Sequence, residues 1–483
     1  MRPAVSSPKE EVHSRDWRVD RPLNPHPPIR RIGLLSPTSG NLGNATMQWA
    51  MIANIRQRIA DVEMVGITLN PDDTRRRHGI EAFPLAGVSR PYYALANSRS
   101  SHRQAPLTRE RAGIKQWLKR VPILGSLLRA VRTGLKEIAH TAAAARLVRK
   151  LDRLLVPGGG AVDDFWGGPW GQPWALCKWS LLCRVFGVPF WFVSIGKCSL
   201  ERPLSRFFIR IALRLAQYRS YRDSESKIAM QTLIDVRRDP VYPDLAFSYP
   251  CPVVPSEPGA GATDRNLVVG VSPIAYCDPR VWPRPDAQRY AAYLGRLAEM
   301  VKWLINEGYR VLFFTTDSPD TAAVDDIKSL LSGSTLDANA IQTLPGSAEQ
   351  SPDSLLQGLS GVHLTVASRL HGVILSHLSA TPVLALSFDP KVDAHMHAME
   401  QQAYCLSIDQ LQPVRLIERF KALRALRERE AAAIGNAGQA FRRQLDSQYD
   451  RLLGAPLSLP IKGAYPRPVE ASPRSEWGRV GTR

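Results

Sequence analysis

The sequence predicts an α/β protein built from two similar parallel-sheet units in tandem, and three stretches predict it. The first is residues 362–396, VHLTVASRLHGVILSHLSATPVLALSFDPKVDAHM. A short β-branched run (HLTVA) leads into apolar residues at helical spacing (GVILSHLS). A Thr-Pro break and a second apolar run of buried-strand length (VLALS) complete one βαβ step. The second is the opening of the fold, where RIGLL at residues 31–35 runs through a Gly-rich loop into a helix expected over 45–60. The third is residues 250–265, PCPVVPSEPGAGATDR, whose Pro and Gly density marks an interdomain linker.

The remaining elements follow in order. Residues 1–29 carry prolines and charges without a period and are expected to be disordered. The first unit, 30–250, continues with a strand at 62–68, then loses its α/β rhythm over 79–152, which reads as a basic insertion. It resumes at residues 154–164, LLVPGGGAVDD, where three consecutive glycines leave the backbone bare for a close approach. Helices are expected over 170–186, 206–215 and 224–233, and strands over 188–196 and 218–223. The second unit, 266–453, opens with strands at 266–272 and 310–316 and helices at 287–307 and 322–331. It ends in highly charged helices from about 413. Residues 454–483 are Pro-rich and expected to be disordered.

At 483 residues the chain is long enough for two cores. A net charge of +19 and a pI near 9.9 favour anionic partners without choosing among them. The six cysteines have no CxxC pairing or His at metal spacing, which reads as free thiols in a reducing compartment and as no metal centre. The N-terminus has no apolar signal core, and no run approaches a membrane span, so a cytoplasmic protein is expected. Residues 103–153 hold thirteen Lys/Arg against three acids, interleaved with Trp117 and a stripe of Leu, Val and Ile. Such a pattern over 105–150, its helical run interrupted by Pro122 and Gly125, fits an interfacial helix at an anionic membrane, a solvated basic helix packed on the domain, or a linker. No nucleic-acid reading motif accompanies it.

The chemistry gathers at the ends of strands, where open α/β sheets bind ligands. Arg369 and His371 stand two residues apart at the turn of the βαβ step, Lys391 follows the next strand, and Arg222 follows a strand of the first unit. Arg offers a planar fork for carboxylate or phosphate, Lys a point charge, and His a proton near neutral pH. Taken singly, each has an ordinary structural explanation. As a set they read as a site for a small anionic substrate that needs a proton moved.

Four elements in order, Gly40-Asn41-Leu-Gly43-Asn44, Gly158-Gly159-Gly160, Tyr221-Arg222-Asp-Ser-Glu-Ser, and Ser368-Arg369-Leu-His371 with Asp389-Pro-Lys391 downstream, resemble the polysaccharide pyruvyl transferase family over roughly residues 30–430. The resemblance implies a GT-B-like fold, two Rossmann-like domains facing across a cleft. It also implies transfer of a pyruvyl group from phosphoenolpyruvate onto a sugar of a bacterial surface polysaccharide, or its lipid-linked precursor, with no cofactor and no metal. On that reading His371 protonates the donor methylene, and Arg369, Arg222 and Lys391 hold the anionic donor. Asp164, after the glycines, deprotonates a sugar hydroxyl. Gly40, Asn41, Gly43, Asn44, Gly159 and Gly160 line the substrate. One departure stands out: the family often has an acid where this chain has Asn44, which keeps a side-chain oxygen and N-cap ability but no charge. The basic insertion would then hold the enzyme peripherally at the inner face of the plasma membrane.

Two other readings use the same features. A GT-B glycosyltransferase would place the cations on a nucleotide-sugar diphosphate, but the second unit has no Glu-rich nucleotide-sugar signature. A non-catalytic basic adaptor would need no Arg-Leu-His turn.

Overall fold

A computed structural model describes residues 29–36, 41–87, 122–165, 167–197, 200–250, 267–332 and 337–455. Gly40, the linker at 251–265, residues 88–121 of the basic insertion, and all but Ile29 and residues 454–455 of the two expected disordered ends (1–29 and 454–483) lie outside them.

The first half holds six parallel strands, β1 (Arg31–Ser36), β2 (Glu63–Thr68), β3 (Glu81–Pro84), β4 (Arg153–Pro157), β5 (Phe190–Ile195) and β6 (Tyr218–Tyr221). The second holds β7 (Val268–Ser272), β8 (Arg310–Phe313), β9 (Ile341–Thr343), β10 (Leu364–Ala367), β11 (Val383–Ser387) and β12 (Cys405–Ser407). The sheet orders are β3-β2-β1-β4-β5-β6 and β9-β8-β7-β10-β11-β12, the same doubly wound order twice. The central strands are almost wholly apolar, as suits parallel strands covered on both faces: β5, FWFVSI, and β11, VLALS, each carry one serine and are buried at every residue.

The helices are α1 (Leu42–Arg58), α2 (Pro71–His78), α3 (Pro122–Val148), α4 (Gln172–Phe186), α5 (Pro203–Leu215) and α6 (Ser224–Gln231) in the first half. The second has α7 (Ala287–Asn306), α8 (Thr321–Leu331), α9 (Pro352–Leu359), α10 (Leu370–Leu378), α11 (Pro390–Ala398), α12 (Pro413–Ala425) and α13 (Arg427–Leu453). Part of the basic insertion is therefore one continuous helix. Pro122 does not interrupt it but begins it, where its fixed φ and missing N–H cost nothing.

One core runs from α1 through the second sheet to α13, and a second lies under α3, α4 and α5 on the other face of the first sheet. The C-terminal helix α13 returns to the first half. Gln448 hydrogen-bonds Ser194 and Ser220, Arg58 pairs with Asp450 at 2.7 Å, and Arg153 donates to the Leu452 carbonyl. The halves also meet at the start of α1. There the Leu42 N–H donates to the Thr316 carbonyl at 2.8 Å, and Asn41 forms an antiparallel bridge with Asp317.

Candidate active site

In each half the strand order reverses between the first and fourth strands, β1/β4 and β7/β10. The helices that follow two of these strands, α1 after β1 and α10 after β10, pack against each other across the halves.

The first turn of α10 carries His371. Its ring lies against the bare backbone of α1: a Cβ on Gly43 would fall 1.9 Å from His371 Cγ. His371 Nε2 is buried and has no hydrogen-bonding partner among the described residues. Burial is the main force on the imidazole, and the Arg222, Lys391 and Arg369 cations add to it against the opposing Asp244 carboxylate. Together they press its pKa down to about 4. The ligand-free ring is neutral near pH 7.

Arg369 precedes the helix as its N-cap residue, but its side chain turns elsewhere. Nε and Nη2 donate to the two oxygens of fully buried Asp320 at 2.7 and 2.9 Å, and Nη2 lies 3.4 Å from Asp317. Asp320 also accepts the Ala275 N–H. This bidentate pair fixes the turn that presents His371.

Arg222 follows β6 with its guanidinium laid across Gly196, where a Cβ would sit 2.6 Å from Nη2. Nη1 is 3.3 Å from Asp244 and Nε 3.4 Å from Asp223. Lys391 lies in the first turn of α11, capped by Asp389. Its ammonium is 3.1 Å from the Asp389 carboxylate and 5.8 Å from the centre of the Phe388 ring.

The glycine elements support this centre from the other side. Asn41, rather than Asn44, caps α1, accepting the Asn44 N–H at 3.0 Å, and the helix starts at Leu42 instead of the expected 45. Asn44 lies within the helix and faces Gly159, with Oδ1 2.8 Å from where a Cβ would stand. Gly158 and Gly159 have φ of 56° and 71°, in the left-handed region that glycine adopts without strain, and Gly160 completes their turn. Asp164 has a different setting. It is buried, and its two carboxylate oxygens accept the backbone N–H groups of Glu201 and Arg202 at 3.2 and 2.9 Å at the start of α5. Among the described residues no hydrogen bond or ion pair joins Asp164 to His371 or its cations.

Three acids that sequence reasoning gave no role complete the site. Asp244 balances Arg222, and Asp320 holds Arg369. Asp317, just past β8, hydrogen-bonds Asn41 across the halves. Burial outweighs Arg369 there, and the Asp320 charge adds to it, raising the Asp317 carboxyl to about 6. The only sequence signal for Asp317 was its place where the apolar strand runs out.

The model of one family, polysaccharide pyruvyl transferase, matches residues 41–390. The chain belongs to that family. It is a transferase of polysaccharide pyruvylation, which needs a pyruvyl donor and a glycan acceptor. No curated protein sequence matches it significantly. Solved structures share its fold at low identity. UDP-bound MnaA of S. aureus is 11% identical with a TM-score of 0.50, covering 88% of this chain and 98% of its own. A glycosyltransferase of Rickettsia africae is 10% identical with a TM-score of 0.51, covering 88% and 99%. A putative UDP-N-acetylglucosamine 2-epimerase of Listeria monocytogenes is 10% identical with a TM-score of 0.50, covering 87% and 96%. These likenesses concern the fold alone: two Rossmann-like domains in the GT-B manner. In the transferase, no described helix is long and apolar enough to cross a membrane.

Proposed function

We propose that the donor of this transferase is phosphoenolpyruvate and that the acceptor is a sugar of a bacterial surface polysaccharide or its lipid-linked precursor. The observation that carries the reading is the buried, unpartnered Nε2 of His371 in the field of Arg222 and Lys391. Such a nitrogen is suited to hold a proton only when an anion arrives.

Arg222 and Lys391 take the donor's carboxylate and phosphate. The incoming negative charge works against the burial and the cations that keep His371 neutral, so its pKa rises and the ring takes up a proton. His371 gives that proton to C3 as a sugar hydroxyl adds to C2. The enol phosphate becomes a methyl-bearing tetrahedral carbon. The C2–O bond to phosphate then breaks, inorganic phosphate leaves with its electron pair, and a second hydroxyl closes the ketal. Each hydroxyl gives up one proton. Asp317, raised to about 6, takes the first as carboxylate near neutral pH, in place of the acid that Asn44 lacks, and the departing phosphate takes the second. Arg369, bound by Asp320, acts as a positioning residue. The donor places the reaction in the cytoplasm, with the enzyme peripheral at the membrane where a lipid-linked acceptor would lie.

Calorimetric titration with phosphoenolpyruvate, with UDP-N-acetylglucosamine as comparison, tests the donor. Saturable phosphoenolpyruvate binding that weakens at least tenfold in Lys391→Met is expected. Lys391 is the better control because Arg369→Ala would leave Asp320 buried and unpaired, disturbing the fold itself. Binding of the UDP-sugar with none of phosphoenolpyruvate would overturn the donor and favour a glycosyltransferase.

A further inference from the structure

Three helices, α3, α4 and α5, lie side by side on one face of the first sheet. Glu137 and His140 of α3 meet Lys178 and Trp179 of α4, and Trp174 of α4 meets Phe208 of α5 at 5.3 Å between ring centres. Their inner residues, among them Val148, Trp179 and Leu213, fill the core beneath. Their outward residues are also apolar. Leu135 and Ile138 on α3 are 62% and 68% exposed, Leu181 and Val185 on α4 42% and 73%, and Leu204 and Phe207 on α5 39% and 55%. Each pair is spaced three or four residues apart, so each helix presents a stripe rather than a scattered side chain.

The charges carried by the three helices themselves are almost all positive. The three helices carry four, two and three Lys or Arg, and their only acid is Glu137, which is turned inward on Lys178 at 2.6 Å. An outward surface of apolar stripes set among cations, with no exposed acid of its own, would repel a second copy of itself. It matches instead a surface that offers hydrocarbon beneath a layer of negative charge.

We propose that the outer face of α3, α4 and α5 docks on an anionic lipid bilayer. The apolar residues enter the headgroup boundary and the arginines of α4 and α5 pair with lipid phosphates. This goes beyond the donor assignment and stands without it. It also puts the contact on a folded helical face of the first half, not only on the basic stretch that precedes α3.

The test uses the full chain and vesicles of phosphatidylcholine with and without phosphatidylglycerol, with neither donor nor acceptor present. Co-sedimentation with the phosphatidylglycerol vesicles only, weakened by salt, is expected. Binding should fall at least tenfold in Val185→Ser/Phe207→Ser and in Arg206→Gln/Arg210→Gln/Arg214→Gln. Melting temperature checks folding, and ultracentrifugation checks self-association. Three results would overturn the proposal: no binding to either vesicle, binding that both variants leave intact, or a dimer that the apolar variant dissolves.

Discussion

The two halves repeat one strand order but divide the site unequally. After β4 the first half ends in Gly158-Gly159-Gly160, and at the equivalent place after β10 the second half ends in Ser368-Arg369-Leu370-His371. After β5 comes Gly196, and after its counterpart β11 comes Lys391. The start of α1 offers Gly43 to the His371 ring, and Asp317 crosses from the end of β8 to Asn41. One half is thus mostly a bare receptor and the other mostly a set of working side chains. Arg222, the main cation of the first half, itself lies on the bare surface of Gly196. The lesson is that chemistry here depends on absent side chains as much as on present ones.

The division can be broken from either side. Removing the working group should have the largest effect. His371→Asn should lower phosphate release from phosphoenolpyruvate by about 10²–10⁴-fold while leaving donor binding measurable by calorimetry. Filling the receptor comes next. Gly43→Ala places a Cβ where the imidazole stands, so the ring must move by about an ångström; activity should fall about 10²-fold. Overpacking should cost about 1–3 kcal/mol in stability, read from denaturant melts. Gly196→Ala displaces Arg222 but leaves Lys391, and donor affinity should drop about tenfold, or 1.4 kcal/mol.

The smallest effect is on pH-dependent stability. Burial first, with nearby charges where present, lowers His78 and His377 to about 3 and His371 to about 4, each below the value of an unfolded histidine. Their contributions are full above about pH 6.5 and are lost as pH falls toward 4 and below, because the unfolded chain then binds more protons. Asp317, raised to about 6, acts in the opposite sense over about pH 6 to 4 and offsets part of the loss. Ligand-free melting temperature should therefore fall on acidification below about pH 6.5, and His371→Asn should flatten part of that slope.

Much of this was legible in the sequence because the central strands are long and apolar and the turns are marked by Gly and Pro. The edge strands β3, β9 and β12 were not. They are three or four residues long and partly exposed, so neither period nor burial marks them. The cations of the site were visible as residue types at strand ends. Their partners were not: Asp320, which holds Arg369, lies 49 positions earlier, and no local pattern joins them. For the same reason Asp164 read as an acid beside a glycine turn, whereas its carboxylate is bound by backbone 37 and 38 positions away.

The proposed mechanism turns on His371 being a neutral, buried imidazole that an anionic donor charges. Histidine ring NMR, assigned with His371→Asn and followed against pH with and without phosphoenolpyruvate, tests it most directly. Titration near 4 in the free protein and a clear upward shift when the donor saturates are expected. An ordinary midpoint near 6.5 in the free protein, or a midpoint unmoved by saturating donor, would contradict it.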